Sequence, residues 1–271
     1  MTDDIDALHL AAVRAGEKRY VDPATGYSVF TAFGHEERGY CCGSGCRHCP
    51  FGHERVSGTS VPNDPFLVGA LDPTQGAEVD VLSWSGGKDS YLALRRLQRE
   101  AVRPIMLLNT FDADSGVVAH QQLGVQTIRE QAQALNLPVV LVPLRPHVAY
   151  VGRISLGLSV LARRVRVARL CFGDLHLDEI RSWRERLLGP VASELGISLH
   201  FPVWNVDYQE LEAELDASPV NVTVTSVLPE YVSGILHVGV TYDRTLREAL
   251  PNSVDPFGER GEFHTRVDVR T

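Results

Sequence analysis

The sequence predicts an α/β protein: a parallel sheet with helices on both faces, preceded by a small cysteine-rich module. Three observations predict it. From Val79 onward, short apolar runs alternate with stretches of helical period, the order that lays strands side by side and covers both faces of the sheet. The first run, Val79-Asp80-Val81-Leu82, passes into Ser85-Gly86-Gly87-Lys88-Asp89-Ser90, and Tyr91-Leu92-Ala93-Leu94-Arg95-Arg96-Leu97 opens a helix behind it. Ahead of this region, four cysteines fall within the nine positions Cys41 to Cys49.

In chain order, Ile5 to Arg14 has the pattern of an amphipathic helix, and Asp22-Pro23-Ala24-Thr25-Gly26 that of a turn. Ser57 to Gln75 is rich in Gly, Ser, Pro, Asn and Asp and reads as a linker or wrapping loop. The expected boundary lies near residue 76, with a module and linker over 1–75 and the larger domain over 76–271. Pro104 to Asn109 is a second strand, Pro138 to Val142 a third and Val167 to Phe172 a fourth, with Cys171 as a small apolar residue in the last. Helices are expected over His120 to Leu135, Val148 to Arg163 and Asp178 to Leu188, the last with Asp178 as N-cap. In such a sheet a ligand sits beyond the C-terminal strand ends, where the Ser85–Ser90 turn falls. There is no internal repeat.

Composition narrows the function classes. Net charge is −8, so a broad nucleic-acid-binding surface is not expected. No stretch is apolar for long enough to span a membrane, and the acidic start Met1-Thr2-Asp3-Asp4 lacks the pattern of a signal peptide. A cytoplasmic location is expected, where cysteines serve metals or reactivity rather than disulfides. Lys18 and Lys88 are the only lysines, which makes one inside a glycine-rich turn informative.

A glycine-rich turn between strand and helix presents backbone N–H groups and the positive end of the helix dipole to an anion. Gly86 and Gly87 permit positive φ and close approach of a phosphate, Ser85 and Ser90 add hydroxyls, Lys88 adds a cation, and Asp89 is a candidate Mg²⁺ ligand. The spacing is not that of a Walker A loop. In the cysteine cluster, Cys42, Cys46 and Cys49 have C-x₃-C-x₂-C spacing, Cys41 is a candidate fourth ligand, and His48 and His53 are alternatives. Zinc, an iron–sulfur cluster or unmetallated thiols all remain open. The same spacing occurs in radical-SAM enzymes, but no partial barrel follows it here.

The Ser85–Ser90 stretch resembles the signature of the PP-loop ATP pyrophosphatase superfamily, whose members cleave ATP between the α- and β-phosphates. Two later stretches resemble its diphthine–ammonia ligase branch: Phe172-Gly173-Asp174-Leu175-His176-Leu177-Asp178 running on to Arg184-Glu185, and Val254-Asp255-Pro256-Phe257-Gly258-Glu259-Arg260-Gly261-Glu262-Phe263-His264-Thr265. The cysteine segment resembles a short CCGxGCxxCPY-type module, with Phe51 in the tyrosine position. The resemblance implies a Rossmann-like, adenine-nucleotide-alpha-hydrolase-like fold. It also implies an ATP site at Ser85, Gly86, Gly87, Lys88, Asp89 and Ser90, with Mg²⁺, and catalytic roles for Lys88, Asp89, Asp174, Glu259 and Glu262. Asp174 faces the crevice or caps the next helix, and His176 is a base, a substrate contact or a packing residue. Glu259 and Glu262 bind Mg²⁺, receive an ammonium group or form a solvated acidic turn. Phe257 and Arg260 stand where the branch usually has cysteine and glycine. The implied activity is an AMP-forming ligase that adenylates a carboxylate, on a protein or otherwise, and passes it to ammonia or an amine. The alternatives are iron–sulfur-assisted thiolation of a nucleobase and a non-catalytic ATP-binding module.

Overall fold

The computed structural model describes residues 2–57, 63–69, 78–146 and 148–269, with the side chains of residues 2–4 excepted. The N-terminal part comprises α1 (Thr2–Arg14), the antiparallel pair β1 (Arg19–Val21) and β2 (Ser28–Phe30), and the short α2 (Ala32–Glu36). Thr31 caps α2 by accepting the Gly34 N–H. The cysteine loop follows, then β3 (Phe66–Val68). The larger part runs β4 (Glu78–Ser83), α3 (Lys88–Glu100), β5 (Ile105–Asp112), the two-residue pair β6 (Val117–Val118) and β7 (Leu123–Gly124), α4 (Val125–Ala134), β8 (Val139–Leu144), α5 (Tyr150–Ala162), β9 (Arg166–Cys171), α6 (Asp178–Glu194) and β10 (Ser198–His200). It ends with α7 (Tyr208–Asp216), β11 (Asn221–Val227), α8 (Arg244–Ala249) and β12 (Phe263–Asp268).

The central sheet has the order β10-β9-β4-β5-β8-β3. Its first five strands are parallel, and β3 pairs antiparallel with β8 at the edge. Alternation along the strands splits the core in two. Leu82, Leu107 and Leu141 face α3 and α4, with the antiparallel β11–β12 pair packed outside them. Val81, Leu108 and Val142 face α5 and α6. The chain moves from β4 to β5 and β8 on one side, then returns to β9 and β10 on the other. That reversal puts a topological switch point between β4 and β9, the position where a doubly wound sheet opens a ligand crevice.

The four expected strands and the helices between them are present. Three differences have physical causes. The helix expected from His120 begins at Val125, because His120 and Gln122 take positive φ (65° and 54°) in the β6–β7 turn. Asp178 is the first residue of α6 rather than its cap; Leu177 holds the cap position, and the helix runs on through Gly189-Pro190 to Glu194. The stretch expected as a linker contributes β3, so the N-terminal part supplies a strand to the sheet it precedes. The boundary expected near residue 76 falls outside the described residues.

Candidate active site

The loop after β4 is braced from three directions. Gly86, at φ +83°, gives its carbonyl to Val267 N–H (2.9 Å) and to Gln131 Nε2 (3.1 Å), while Trp84 Nε1 donates to Gln131 Oε1 (2.9 Å). Asn109 Nδ2 donates to the Trp84 carbonyl (2.7 Å). Lys88 N–H donates to Thr265 Oγ1 (3.2 Å). Within the loop, Gly87 N–H donates to Ser85 Oγ (3.3 Å) and Ser90 Oγ to the Gly87 carbonyl (2.9 Å). The two glycines also serve packing. A Cβ on Gly86 would lie 2.8 Å from Gln131 Oε1, and one on Gly87 would lie 2.9 Å from the Thr265 carbonyl. Strand β12 is therefore the floor of the loop.

Lys88, the cation the sequence places in the loop, is enclosed. Its side chain is 2% exposed, and its Nζ donates to Asp89 Oδ2 (3.0 Å) and to the Phe257 carbonyl (2.5 Å). It lies 5.3–5.6 Å from the ring centroids of Tyr242, Phe257 and Phe263. Its charge thus neutralises Asp89 and ties the Asp255–Glu262 segment to the loop.

Three of the expected acids meet beside this lysine. Burial raises the Asp89 carboxyl, Lys88 opposes that, and Asp174 adds to it. Asp89 Oδ1 is buried without a hydrogen-bond partner. Glu259 is pushed up to about 7, first by burial and then by Asp89, with Asp174 also contributing. Asp174 neither caps α6 nor stands alone, because Arg184 Nε and Nη2 grip both its oxygens (2.5 and 3.0 Å). Glu262 is 1% exposed, and its two oxygens accept the backbone N–H groups of Asp255 (2.9 Å) and Arg260 (3.1 Å). It is a brace for the turn rather than an open ligand. His176 Nε2 pairs with Tyr208 Oη (2.8 Å), which also donates to Asp255.

A crevice of about 730 Å³ opens on the other side of the loop. Ser85, Thr110, His120, Tyr150, Trp183 and Arg184 are among its walls. Its volume suits a nucleotide-sized ligand, and its aromatic walls suit a base or another planar group. Arg184 stands between this crevice and the acid cluster. His264, beside His120, has its imidazole pushed down to about 4 by burial and is neutral near pH 7. Arg184, Gln131 and Tyr208 are participants the sequence reading did not single out. Only Arg184 carried a signal, within the Trp183-Arg184-Glu185 stretch.

Two consequences are testable. A Cβ on Gly173 would lie 2.8–2.9 Å from the backbone of Asp89 and Ser90, so Gly173→Ala must displace the loop. ATP turnover should fall about 10²-fold while the melting profile stays cooperative; steady-state kinetics beside circular dichroism checks this, and near wild-type turnover would show that the loop tolerates displacement. Glu259, with its pKa raised on folding, favours the native state most below its unfolded value, and this is lost as pH rises through about 7. Glu259→Gln should therefore gain stability relative to wild type between about pH 5 and pH 8, by on the order of 1 kcal/mol after solvent screening. Paired denaturant titrations at the two pH values measure it.

In the N-terminal part the four cysteines form two pairs rather than one centre. Cys42 and Cys46 have sulfurs 3.4 Å apart, and Cys41 and Cys49 have theirs 3.9 Å apart. Among the described residues, no three cysteine sulfurs gather within 4.8 Å of one another; the group that meets that spacing is His9, His48 and Asp64. Its hydrogen bonding is partial: His9 Nδ1 and Asp64 Oδ1 are buried without a hydrogen-bond partner. His9 Nε2 accepts the Ala32 N–H (3.0 Å), which places the proton of the neutral ring on Nδ1, facing Asp64, and leaves no lone pair there for a metal. His48 Nδ1 contacts Asp64, and its Nε2 meets Tyr20 Oη (2.7 Å). His53 Nε2 donates to the Cys46 carbonyl (2.8 Å).

The parallel sheet, the switch-point crevice and the braced Ser85–Ser90 turn define a Rossmann-like α/β domain with a glycine turn at its ligand crevice. Residues 78–199 match the family model described as the Diphthamide synthase N-terminal domain. Residues 8–55, which include the cysteine loop, match a family of unknown function (DUF5522). A solved structure, the predicted subunit of tRNA methyltransferase from Methanocaldococcus jannaschii, is 18% identical with a TM-score of 0.36, over 69% of this chain and 89% of that one. Among the described residues, no helix is long and apolar enough to cross a membrane.

Proposed function

We propose that this protein is an AMP-forming ligase that activates a carboxylate with ATP and transfers it to ammonia or an amine. The observation that carries this reading is Glu259, a carboxyl titrating near neutrality beside Asp89 of the loop. A group with that pKa can take a proton from an attacking ammonium-derived nucleophile at physiological pH. The substrate carboxylate attacks the α-phosphorus, and pyrophosphate departs into the Ser85–Ser90 turn. The amine then attacks the acyl-adenylate as Glu259 accepts its proton, and AMP leaves. Arg184, fixed by Asp174, is placed to neutralise charge at the crevice wall. The orphaned Asp89 Oδ1 and the mutual repulsion of Asp89, Asp174 and Glu259 fit a divalent cation. Mg²⁺ bound at Asp89 would supply charge neutralisation for the phosphates, leaving Glu259 as the base. The paired cysteines do not fit a three- or four-thiolate centre, so the thiolation reading has less support.

Supplied with Mg-ATP, ammonium and a pool of small carboxylates labelled with ¹⁸O, the protein should release AMP and pyrophosphate, with label in the AMP. ADP and phosphate as products, or unlabelled AMP, would overturn carboxylate adenylation.

A further inference from the structure

We propose that Cys42 and Cys46 form a thiol–disulfide exchange site that reacts with low-molecular-weight disulfides. The pair is built for it. The two sulfurs are already in contact at 3.4 Å, and a bond requires them to close to about 2.05 Å. Cys42 is exposed and Cys46 is half-buried beside it. An incoming disulfide therefore meets Cys42 first, with Cys46 placed to resolve the adduct. The turn that brings positions four apart into contact uses Gly43 at φ +79° and Gly45 at φ +62°, a conformation strained for other residues. A Cβ on Gly43 would also lie 2.9 Å from the Arg55 carbonyl. The companion pair, Cys41 and Cys49, has sulfurs 3.9 Å apart, but each residue is 1% exposed and closed to a reagent in the folded protein. One loop thus holds an accessible dithiol and a shielded one. Among the described residues, no third sulfur, histidine or carboxylate completes a metal-ligand group with the exposed pair.

The exchange balances without an added redox partner. The Cys42 thiolate attacks one sulfur of R–S–S–R, forming a mixed disulfide and expelling RS⁻. The Cys46 thiolate then attacks Cys42 Sγ, forming the intramolecular disulfide and expelling the second RS⁻. The two protons lost by the cysteines end on the two released thiols. The protein dithiol is oxidised by two electrons and the small disulfide is reduced.

The test uses the full chain, reduced, desalted and incubated with glutathione disulfide, followed by peptide mapping with mass spectrometry. Wild type should lose the mass of two hydrogens and show a Cys42–Cys46 cross-link, with Cys41 and Cys49 alkylated only after denaturation. Cys46→Ser should trap a glutathione adduct on Cys42, and Cys42→Ser should show neither product. Stoichiometric zinc or iron that shields all four thiols until chelation would overturn the proposal. So would a Cys41–Cys49 cross-link, or a Cys46→Ser variant that folds by circular dichroism yet takes no adduct.

Discussion

Replacing Asp64 by alanine is expected to cost about 3–5 kcal/mol of stability, the usual result of stranding buried charge. Asp64 is 1% exposed and, among the described residues, is the carboxylate that His48, His9 and Arg153 share. Arg153 is itself 4% exposed; it also pairs with Asp6 (3.1 Å) and donates from Nε to the Pro143 carbonyl (3.0 Å). These groups come from α1, the cysteine loop, the segment before β3, and α5, so the carboxylate joins the N-terminal part to the central sheet. Burial alone would raise the Asp64 pKa, but its contacts with His48, His9 and Arg153 win and hold it below the usual carboxylate value. Asp64→Asn keeps the shape and should cost less than alanine. Denaturant midpoints of the three proteins test this, and a loss under about 1 kcal/mol for alanine would mean the cluster relaxes around water. The pH dependence has a definite sign. His9 is pushed down to about 4 by burial, so its contribution is present above its unfolded value of 6.5 and is lost as pH falls toward 4. The depressed Asp64 adds a further loss at lower pH. Both act on the acid side, so the N-terminal part should loosen there first, visible as hydrogen exchange in α1 before the central strands.

Periodicity and the glycine turn made β4, α3, β5, β8, α5 and β9 legible, because each is a local pattern with its own punctuation. The switch point could be anticipated in kind, since the order of strands and helices implied a crevice at the loop. What stayed hidden is set by contacts distant in sequence. Strand β3 has three residues inside a Pro- and Asp-rich stretch, too short for a period to show. The contact between Thr265 Oγ1 and Lys88 N spans 177 positions, and no local signal announces it. The motif Asp255–Glu262 was recognisable as chemistry, yet its division of labour was not. Glu262 differs from Glu259 only in which backbone N–H groups the turn aims at it. Likewise, C-x₃-C-x₂-C spacing specifies reach but not convergence; the positive-φ glycines fold it into pairs.

Lys88→Met should lower ATP turnover by about 10²-fold or more while weakening ATP binding far less. The argument rests on where the ammonium is. A lysine in direct contact with a departing phosphate would lose binding and turnover together, and its removal would leave the fold unaffected. Here Nζ is enclosed by Asp89, the Phe257 carbonyl and the three rings of Tyr242, Phe257 and Phe263. Methionine fills that box with similar volume, so packing survives. The loss is electrostatic. Asp89 is already raised by burial and by Asp174, and without its counter-charge it titrates higher still. Glu259, whose second cause of elevation is the Asp89 charge, then comes down as Asp89 takes up a proton. The pH–rate profile should consequently change shape as well as height, with the limb assigned to Glu259 moving to lower pH. Releasing the Phe257 carbonyl also frees the segment that carries Glu259, so some stability is lost with the activity. Isothermal binding of a non-hydrolysable ATP analogue, beside kcat across pH, separates the cases. Parallel losses in affinity and kcat with an unmoved profile would place the ammonium on the phosphate instead.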